Sequence, residues 1–151
     1  MKVEFTGKKL PLSLKCVVKK AFKHTLKELE QTNKLSICVN IVTPEEIREI
    51  NKQTREIDKV TDVLSFPSFE ISPFDKVTAV SSSNTFLGDM AICMEEVEKQ
   101  QEEYSESKKR VLARLVIHSV LHMLGFDHIK DEDYAVMEPV QNKILNRVVK
   151  K

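Results

Sequence analysis

The sequence predicts an α+β fold, a single layered domain over residues 1–151 in which a small mixed β-sheet packs against helices. Two patterns support this prediction. Segments in which every second residue is apolar alternate along the chain with segments that repeat apolar residues every three or four positions. One of the helical segments is apolar nearly all round, which predicts a central, buried helix.

Strands and helices alternate in the first half of the chain. The predicted elements are a strand at 3–5, a helix from 11 to about 30, a strand at 35–42, a helix from 44 to about 54 and a strand at 63–66. Pro11 suits a first helical turn, and the second helix is preceded by the capping residue Thr43 with Glu46 three positions later. Pro67 closes the third strand. Because proline cannot donate to a sheet ladder, that strand is expected to lie at an edge or to end there.

The second half contains one more strand and three helices. After a loop over 67–85, the strand is expected at 86–94. The three helices are expected from there to about 103, from a serine cap to about 124, and from 131 to 149. Ser105 or Ser107 caps the buried helix. Pro139 should kink the last helix or begin it anew, because it lacks an amide N–H. A loop of this length in a compact domain is expected to be functional or mobile.

Composition excludes several classes of protein. No apolar run is long enough to cross a bilayer and the first residues do not resemble a signal peptide, so no membrane association is expected. Cys16, Cys38 and Cys93 are widely spaced and predict reduced, partly buried thiols in a cytoplasmic protein. The net charge of +1 carries no nucleic-acid signature for the chain as a whole.

Charge is nevertheless unevenly distributed along the chain. Residues 1–35 contain nine lysines, and six glutamates lie between residues 95 and 106. A basic patch could attract phosphates. A solvated, lysine-rich helix face explains the same pattern equally well.

Three of the four histidines lie in one stretch of eleven residues, which begins at His118 and ends at His128. His118 and His122 are four residues apart, so on a helix both imidazoles project from one face. Gly125 can end that helix in a left-handed conformation, after which the chain can present His128 as a third ligand. Three imidazoles leave the fourth position of a zinc ion open to water, as in catalytic sites, and we expect one Zn²⁺ per chain. His24, the fourth histidine, is expected to be a bystander, since nothing nearby completes a site.

The residue after His118 separates this pattern from that of the familiar zinc peptidases. Peptidase helices read His-Glu-x-x-His, with the glutamate as general base. Here the position is Ser119, and an unactivated hydroxyl cannot take a proton from water at neutral pH. The metal ligands are present, whereas the peptidase base is absent.

Three blocks of the sequence together resemble the YbeY family of rRNA maturation factors. They are Arg55-Glu56-Ile57-Asp58-Lys59-Val60-Thr61-Asp62-Val63-Leu64-Ser65-Phe66-Pro67, Leu87-Gly88-Asp89-Met90 and the three-histidine stretch. The resemblance extends from the strand at residue 35 to the last helix. Members of this family are single-strand-specific, metal-dependent endoribonucleases. The resemblance implies zinc bound by the three histidines, a catalytic role for Arg55, and rRNA and ribosomal particles as partners in 16S rRNA 3′-end maturation and ribosome quality control.

Two residues depart from the family pattern. The family usually has glycine directly after the first histidine, where this chain has Ser119. It usually has proline before the Thr-Asp pair, where this chain has Val60. Serine is small and compatible with a helix, so we expect the ligand geometry to be retained.

The leading hypothesis for the mechanism is attack of a metal-activated water on a phosphodiester of single-stranded RNA. Zinc lowers the pKa of a bound water to about neutral, or alternatively polarises a phosphoryl oxygen. The planar guanidinium of Arg55 would bind the phosphate and stabilise charge that develops in the transition state. From spacing alone, a surface salt bridge with Glu56 or Asp58 would be the commoner role for this arginine.

Three aspartates near these blocks are not expected to bind metal. Asp62 and Asp89 are interpreted as residues that cap or orient backbone at strand ends. Asp127, beside the third histidine, is interpreted as a turn residue.

Two other functions remain open from the residues alone. The His-x-x-x-His-x-x-Gly-x-x-His spacing is also that of metzincins, so a zinc metallopeptidase is one alternative. The missing glutamate and the cytoplasmic composition argue against it. The second alternative is a ribosome-binding factor in which the metal only stabilises the fold.

Overall fold

The computed structural model describes residues 1–78 and 84–150. Its helices and strands, in chain order, are β1 Lys2–Gly7, α1 Leu12–Glu28, β2 Leu35–Val42, α2 Pro44–Arg55, β3 Val63–Pro67, β4 Thr85–Cys93, α3 Met94–Glu103, α4 Lys108–Met123 and α5 Asp131–Val148. The elements predicted from the sequence are present, with bounds that differ by a few residues.

The strands of the described residues form one mixed sheet in the order β1-β2-β4-β3. β1 is parallel to β2 and β2 to β4, whereas β3 runs antiparallel to β4. β3 therefore lies at an edge of the sheet and ends at Pro67, as the proline predicts. The mixed sheet with its helices confirms the predicted α+β class.

The two faces of the sheet carry apolar clusters of different size. Along β4, Met90 and Ile92 belong to a large cluster that also contains residues of α1, α4 and α5, whereas Ala91 and Cys93 belong to a small cluster with Ile47 of α2. This division follows from strand geometry, in which successive side chains point to opposite faces. Most of the 16 residues of α4 are buried, which confirms the prediction of a central, buried helix.

Helix α2 begins and ends at well-defined caps. The Thr43 hydroxyl accepts the amide N–H of Glu46 at 3.1 Å, and the Glu46 carboxylate accepts the amide N–H of Thr43 at 3.1 Å, which confirms the predicted capping box. At the other end, Glu56 has a left-handed φ of 58° and stops the helix directly after Arg55. Arg55 is thereby placed at the last position of a helix rather than in a loop.

Helix α4 is capped by Ser107, one of the two predicted serines. The Ser107 hydroxyl accepts the amide N–H of Arg110 at 3.1 Å. Ser105 instead has a left-handed φ of 50° directly after the C-cap of α3. The short connection between these two helices is thus built from both serines, in different roles.

Helix α5 differs from the sequence prediction at Pro139. A fresh helix start at this proline was one predicted outcome and is wrong, because α5 is continuous from Asp131 to Val148. A proline removes the hydrogen bond to the carbonyl four residues earlier, here that of Ala135. Both Ala135 and Pro139 are exposed, so water can satisfy that carbonyl.

The segment between β3 and β4 reaches the turn that follows α4. Residues 68–78 and 84 lie outside helices and strands, and residues 79–83 of the predicted loop fall outside the described residues. The ring of Phe74 meets the ring of Phe126 edge-on, with the two centroids 5.0 Å apart. This segment therefore packs beside the three-histidine stretch.

All three cysteines are free thiols. Cys93 is buried and Cys38 is half-buried, as expected, whereas Cys16 is exposed. Within residues 1–78 and 84–150, no helix is both long and apolar enough to span a membrane.

Candidate metal centre

The turn after α4 has the geometry predicted at Gly125. Gly125 has a φ of 96°, and its amide N–H donates to the carbonyl of His122 at 3.0 Å. The Phe126 amide N–H donates to the carbonyl of Leu121, also at 3.0 Å, which completes a Schellman motif. A Cβ atom at position 125 would lie 2.0 Å from the carbonyl oxygen of Ile71, so only glycine fits.

This turn brings the three predicted histidines together. The Nε2 atoms of His118 and His122 are 2.9 Å apart, and Nδ1 of His128 is 3.0 Å from Nε2 of His122. One ligand nitrogen from each of the three rings lies within 4.8 Å of the others. His118 and His122 are half-buried and His128 is exposed, so the group faces solvent from one side.

Hydrogen bonds fix the orientation of the two helical imidazoles. Nδ1 of His118 lies 2.8 Å from Oε1 of Gln141, and Nδ1 of His122 lies 2.9 Å from the carbonyl oxygen of Phe126. Both oxygens only accept, so each Nδ1 carries the proton and each Nε2 presents its lone pair to the group. Burial lowers the pKa of His118, and burial followed by the charge of His118 lowers the pKa of His122 to about 4.

Gln141 is a residue that the sequence analysis missed. It lies on α5, 23 residues after its histidine partner, and the local sequence gives no sign of the contact. Partners of this kind hold a ligating imidazole in one tautomer and one orientation.

Asp127 positions the third histidine through the backbone. Its Oδ1 atom accepts the amide N–H of His128 at 2.7 Å and that of Ile129 at 3.1 Å. Burial opposes ionisation, but these two amides lower the pKa of Asp127. Asp127 is therefore the turn residue that the sequence predicts.

The three histidines fit a zinc ion. Two nitrogens that bind one zinc ion at 2.0–2.1 Å with a tetrahedral angle between them lie about 3.3 Å apart. The distances of 2.9 Å between Nε2 of His118 and Nε2 of His122 and of 3.0 Å between Nδ1 of His128 and Nε2 of His122 are close to this value. The Nε2 atoms of His118 and His122 both lack a proton and cannot hydrogen-bond to each other, so a cation between them would satisfy both lone pairs. Neutral imidazole is also the form that binds metals.

Arg55 and the three histidines line one open cleft of about 710 Å³. A second cleft of about 750 Å³ meets it at Arg55, Ser65, His122 and His128. The predicted alternative for Arg55, a salt bridge with Glu56 or Asp58, does not form among the described residues. Asp58 instead binds Nε of Arg48 at 2.8 Å.

The other two aspartates stay outside the metal group. Oδ1 of Asp62 accepts a hydrogen bond from the amide N–H of Val63 at 2.7 Å, and Oδ2 accepts one from Nε2 of Gln100 at 2.6 Å. Asp62 therefore orients the start of β3, as predicted. Asp89 lies in the middle of β4, so the prediction that it caps or orients backbone at a strand end is wrong. At this position β4 is paired on both sides, because Asp89 lies opposite Cys38 of β2 and Phe66 of β3.

Ser119 faces the sheet rather than the cleft. It is fully buried, and its hydroxyl lies 2.7 Å from the hydroxyl of Ser65 on β3. The pair ties α4, which carries His118 and His122, to the edge strand. Sequence analysis foresaw neither the contact nor the partner.

The fold and the site define a class of protein, a small α+β protein with a three-histidine group that can hold a metal ion at the wall of an open cleft. The sequence model of the family described as Endoribonuclease YbeY matches residues 2–149. The chain belongs to this family. The match confirms the resemblance found in the sequence and extends it to β1.

Curated relatives and a solved structure agree with this assignment. The chain is 38% identical over 138 residues to the Endoribonuclease YbeY of Caldanaerobacter subterraneus subsp. tengcongensis, covering 89% of this chain and 87% of the relative. It is 40% identical to the Endoribonuclease YbeY of Lachnospira eligens, covering 74% of this chain and 75% of the relative. The solution structure of a Thermotoga maritima protein is similar, with a TM-score of 0.66 and 25% identity over 97% of this chain and 88% of that chain.

Proposed function

We propose that the protein is a zinc-dependent, single-strand-specific endoribonuclease that acts in the cytoplasm on rRNA of ribosomal particles, in 16S rRNA 3′-end maturation and ribosome quality control. One zinc ion per chain would be held by His118, His122 and His128, with Arg55 as the catalytic cation. The observation that carries the proposal is the convergence of the three imidazoles with this arginine in one cleft, in a chain of an endoribonuclease family.

The residues of the cleft suit a phosphodiester. Arg55 and Lys59 are exposed on its wall, and neither forms a salt bridge with a described carboxylate. A guanidinium can bind two phosphate oxygens at once, and an ammonium nearby raises the local concentration of an anionic substrate. When bound, zinc supplies a Lewis acid that lowers the pKa of water to about neutral.

Hydrogen bonds to the imidazoles of His118 and His122 and to the backbone of His128 preorganise the three-histidine group. Gln141 and the Phe126 carbonyl keep the two helical imidazoles in the tautomer that offers Nε2. Asp127 holds the backbone of His128 in place. Arg55, at the end of a helix, would stabilise charge that develops on the phosphate.

The geometry disfavours both alternatives. A peptidase needs a carboxylate base. In the cleft that Arg55 shares with all three histidines, the two carboxylates already have partners: Asp62 binds Gln100, and Glu106 binds Arg110 and Arg114. A purely structural zinc is normally closed by four protein ligands. Among the described residues this group has three, and His128 is exposed.

Metal analysis of the purified protein, combined with cleavage assays, tests the proposal. We expect one zinc per chain, cleavage of single-stranded RNA, and no cleavage of duplex RNA or casein. His24→Ala is a matched control, because His24 lies on α1 outside the three-histidine group. It should keep both metal and activity, whereas His122→Ala should lose both. Cleavage of casein in place of RNA would favour the peptidase, and metal without either activity would favour the structural role.

A further inference from the structure

Tyr104 is an exposed aromatic residue on the wall of the cleft that contains the histidines. Tyr104 is 55% exposed and lies at the end of α3. It lines the cleft together with Ile57 and Val60, which are 47% and 38% exposed. Three exposed apolar side chains therefore share one cleft with Arg55 and Lys59.

The backbone around Tyr104 is firmly held. The Tyr104 amide N–H donates to the carbonyl of Gln100 at 2.9 Å, and the Glu106 amide N–H donates to the carbonyl of Gln101 at 3.1 Å. The Glu106 carboxylate in turn binds Arg110 and Arg114 of α4. The backbone that carries the ring is thus held by hydrogen bonds, so little backbone conformational entropy would be lost when a ligand packs on the ring.

We propose that Tyr104 stacks on a base of single-stranded RNA while Arg55 and Lys59 hold the adjacent phosphates. This inference rests on the proposed endoribonuclease function and adds a base-binding residue to it. Proteins that bind single strands combine cations along the backbone with aromatic side chains on which bases stack. In a duplex the bases are already stacked and paired, so the contact selects single-stranded substrate.

The apolar neighbours favour a base over another occupant. Ile57 and Val60 belong to the segment between α2 and β3, the same segment that provides Lys59. A nucleobase has apolar faces that such side chains can cover, and its phosphate carries the charge that the two cations need. A peptide would offer no such regular alternation of flat apolar groups and negative charge.

Binding and cleavage by two tyrosine variants test the proposal. Tyr104→Ala should weaken binding of a single-stranded oligoribonucleotide by roughly 5- to 150-fold, the range for loss of one stacked base. Tyr104→Phe retains the ring and should bind as the parent does. Tyr134→Ala is the matched control, because Tyr134 is similarly exposed, at 48%, and lies on α5 outside the cleft. Equal binding by Tyr104→Ala and the parent would overturn the proposal.

Fluorescence reports the contact without any need for cleavage. The chain has two tyrosines and no tryptophan, so Tyr134→Phe leaves Tyr104 as the only strong emitter. Its emission should be quenched by a single-stranded oligoribonucleotide, with saturation, and much less by a duplex of the same sequence. No quenching in a variant that still binds and cleaves single strands would refute stacking and leave the endoribonuclease function intact. Failure of the parent protein to bind single strands would refute both.

Discussion

Loss of the hydrogen bond between Ser65 and Ser119 should lower stability, and removal of the Ser119 hydroxyl should leave catalysis unchanged. The two hydroxyls are 2.7 Å apart, with Ser119 fully buried and Ser65 half-buried beside the cleft. A neutral hydrogen bond contributes about 0.5–1.5 kcal/mol to folding, and an unpaired buried polar group costs about 1–3 kcal/mol.

The two single variants should therefore differ. Ser119→Ala leaves the Ser65 hydroxyl near the cleft, where water can reach it, and should lower the free energy of unfolding by about 1 kcal/mol. Ser65→Ala leaves the Ser119 hydroxyl buried without its partner and should cost about 1–3 kcal/mol. For a chain of this size, each kcal/mol lowers Tm by about 2–4 °C.

Urea unfolding of the parent, both single variants and the double variant measures the coupling. We expect a coupling energy of about 1 kcal/mol, since the residues are in direct contact. Metal content and the rate of RNA cleavage should stay at parental values in Ser119→Ala. A coupling energy near zero would show that the hydrogen bond contributes nothing. A tenfold slower rate at full metal occupancy would show that Ser119 takes part in the chemistry.

Three further predictions test other parts of the site. His122→Ala should abolish metal binding, which metal analysis would measure. Bound metal should stabilise the parent by about 4 kcal/mol at zinc concentrations 1,000 times Kd, and calorimetry should show that the variant lacks this stabilisation. An unchanged metal content would place the site elsewhere. Arg55→Ala should keep metal and Tm but slow RNA cleavage about a hundred- to a thousand-fold, with little rescue by lysine. Arg48→Ala, on the same helix and outside the cleft, should cleave normally; equal rates for both variants would reduce Arg55 to a surface charge. The hydrogen bond from Arg114 lowers the pKa of Glu106 below 4.5, although burial opposes this shift. The ionised Glu106 carboxylate therefore stabilises the fold above pH 4.5, and this stabilisation is lost as the pH falls. The difference in unfolding free energy between the parent and Glu106→Gln should shrink below pH 4.5, and a constant difference would contradict the ion pair.

The geometry of the three-histidine group was predictable because it is local. His118 and His122 are related by helical periodicity, and Gly125 is the residue type that a left-handed turn requires. These features depend on a few neighbouring residues, so the sequence determines them almost without reference to the rest of the fold. The structure brings the histidines together as the local pattern predicts.

Other parts of the site depend on contacts between distant segments. The partners Gln141 and Ser65 are 23 and 54 residues away from the residues they contact, and no local pattern points to them. Arg55 was singled out only through the family resemblance, since a basic residue at a helix end is common. The order of strands in the sheet likewise depends on which long-range pairings form, which periodicity does not reveal.

The continuity of α5 shows a similar limit. Proline is unfavourable inside a helix because a hydrogen bond is lost and the ring crowds the preceding turn. Whether the helix continues through the proline depends on whether the carbonyl that loses its hydrogen bond finds another donor, such as water. Pro139 lies on the exposed face, a fact that follows from packing and not from the local sequence.

The rate of RNA cleavage as a function of zinc bound per chain tests the central claim most directly. Metal-free protein would be titrated with Zn²⁺, with cleavage of a single-stranded oligoribonucleotide measured at each point. The rate should rise in proportion to bound zinc and reach its plateau at one zinc per chain, and His122→Ala should stay at background throughout. Full cleavage by the metal-free protein, or full zinc occupancy without cleavage, would contradict the assignment of the three histidines to a catalytic metal.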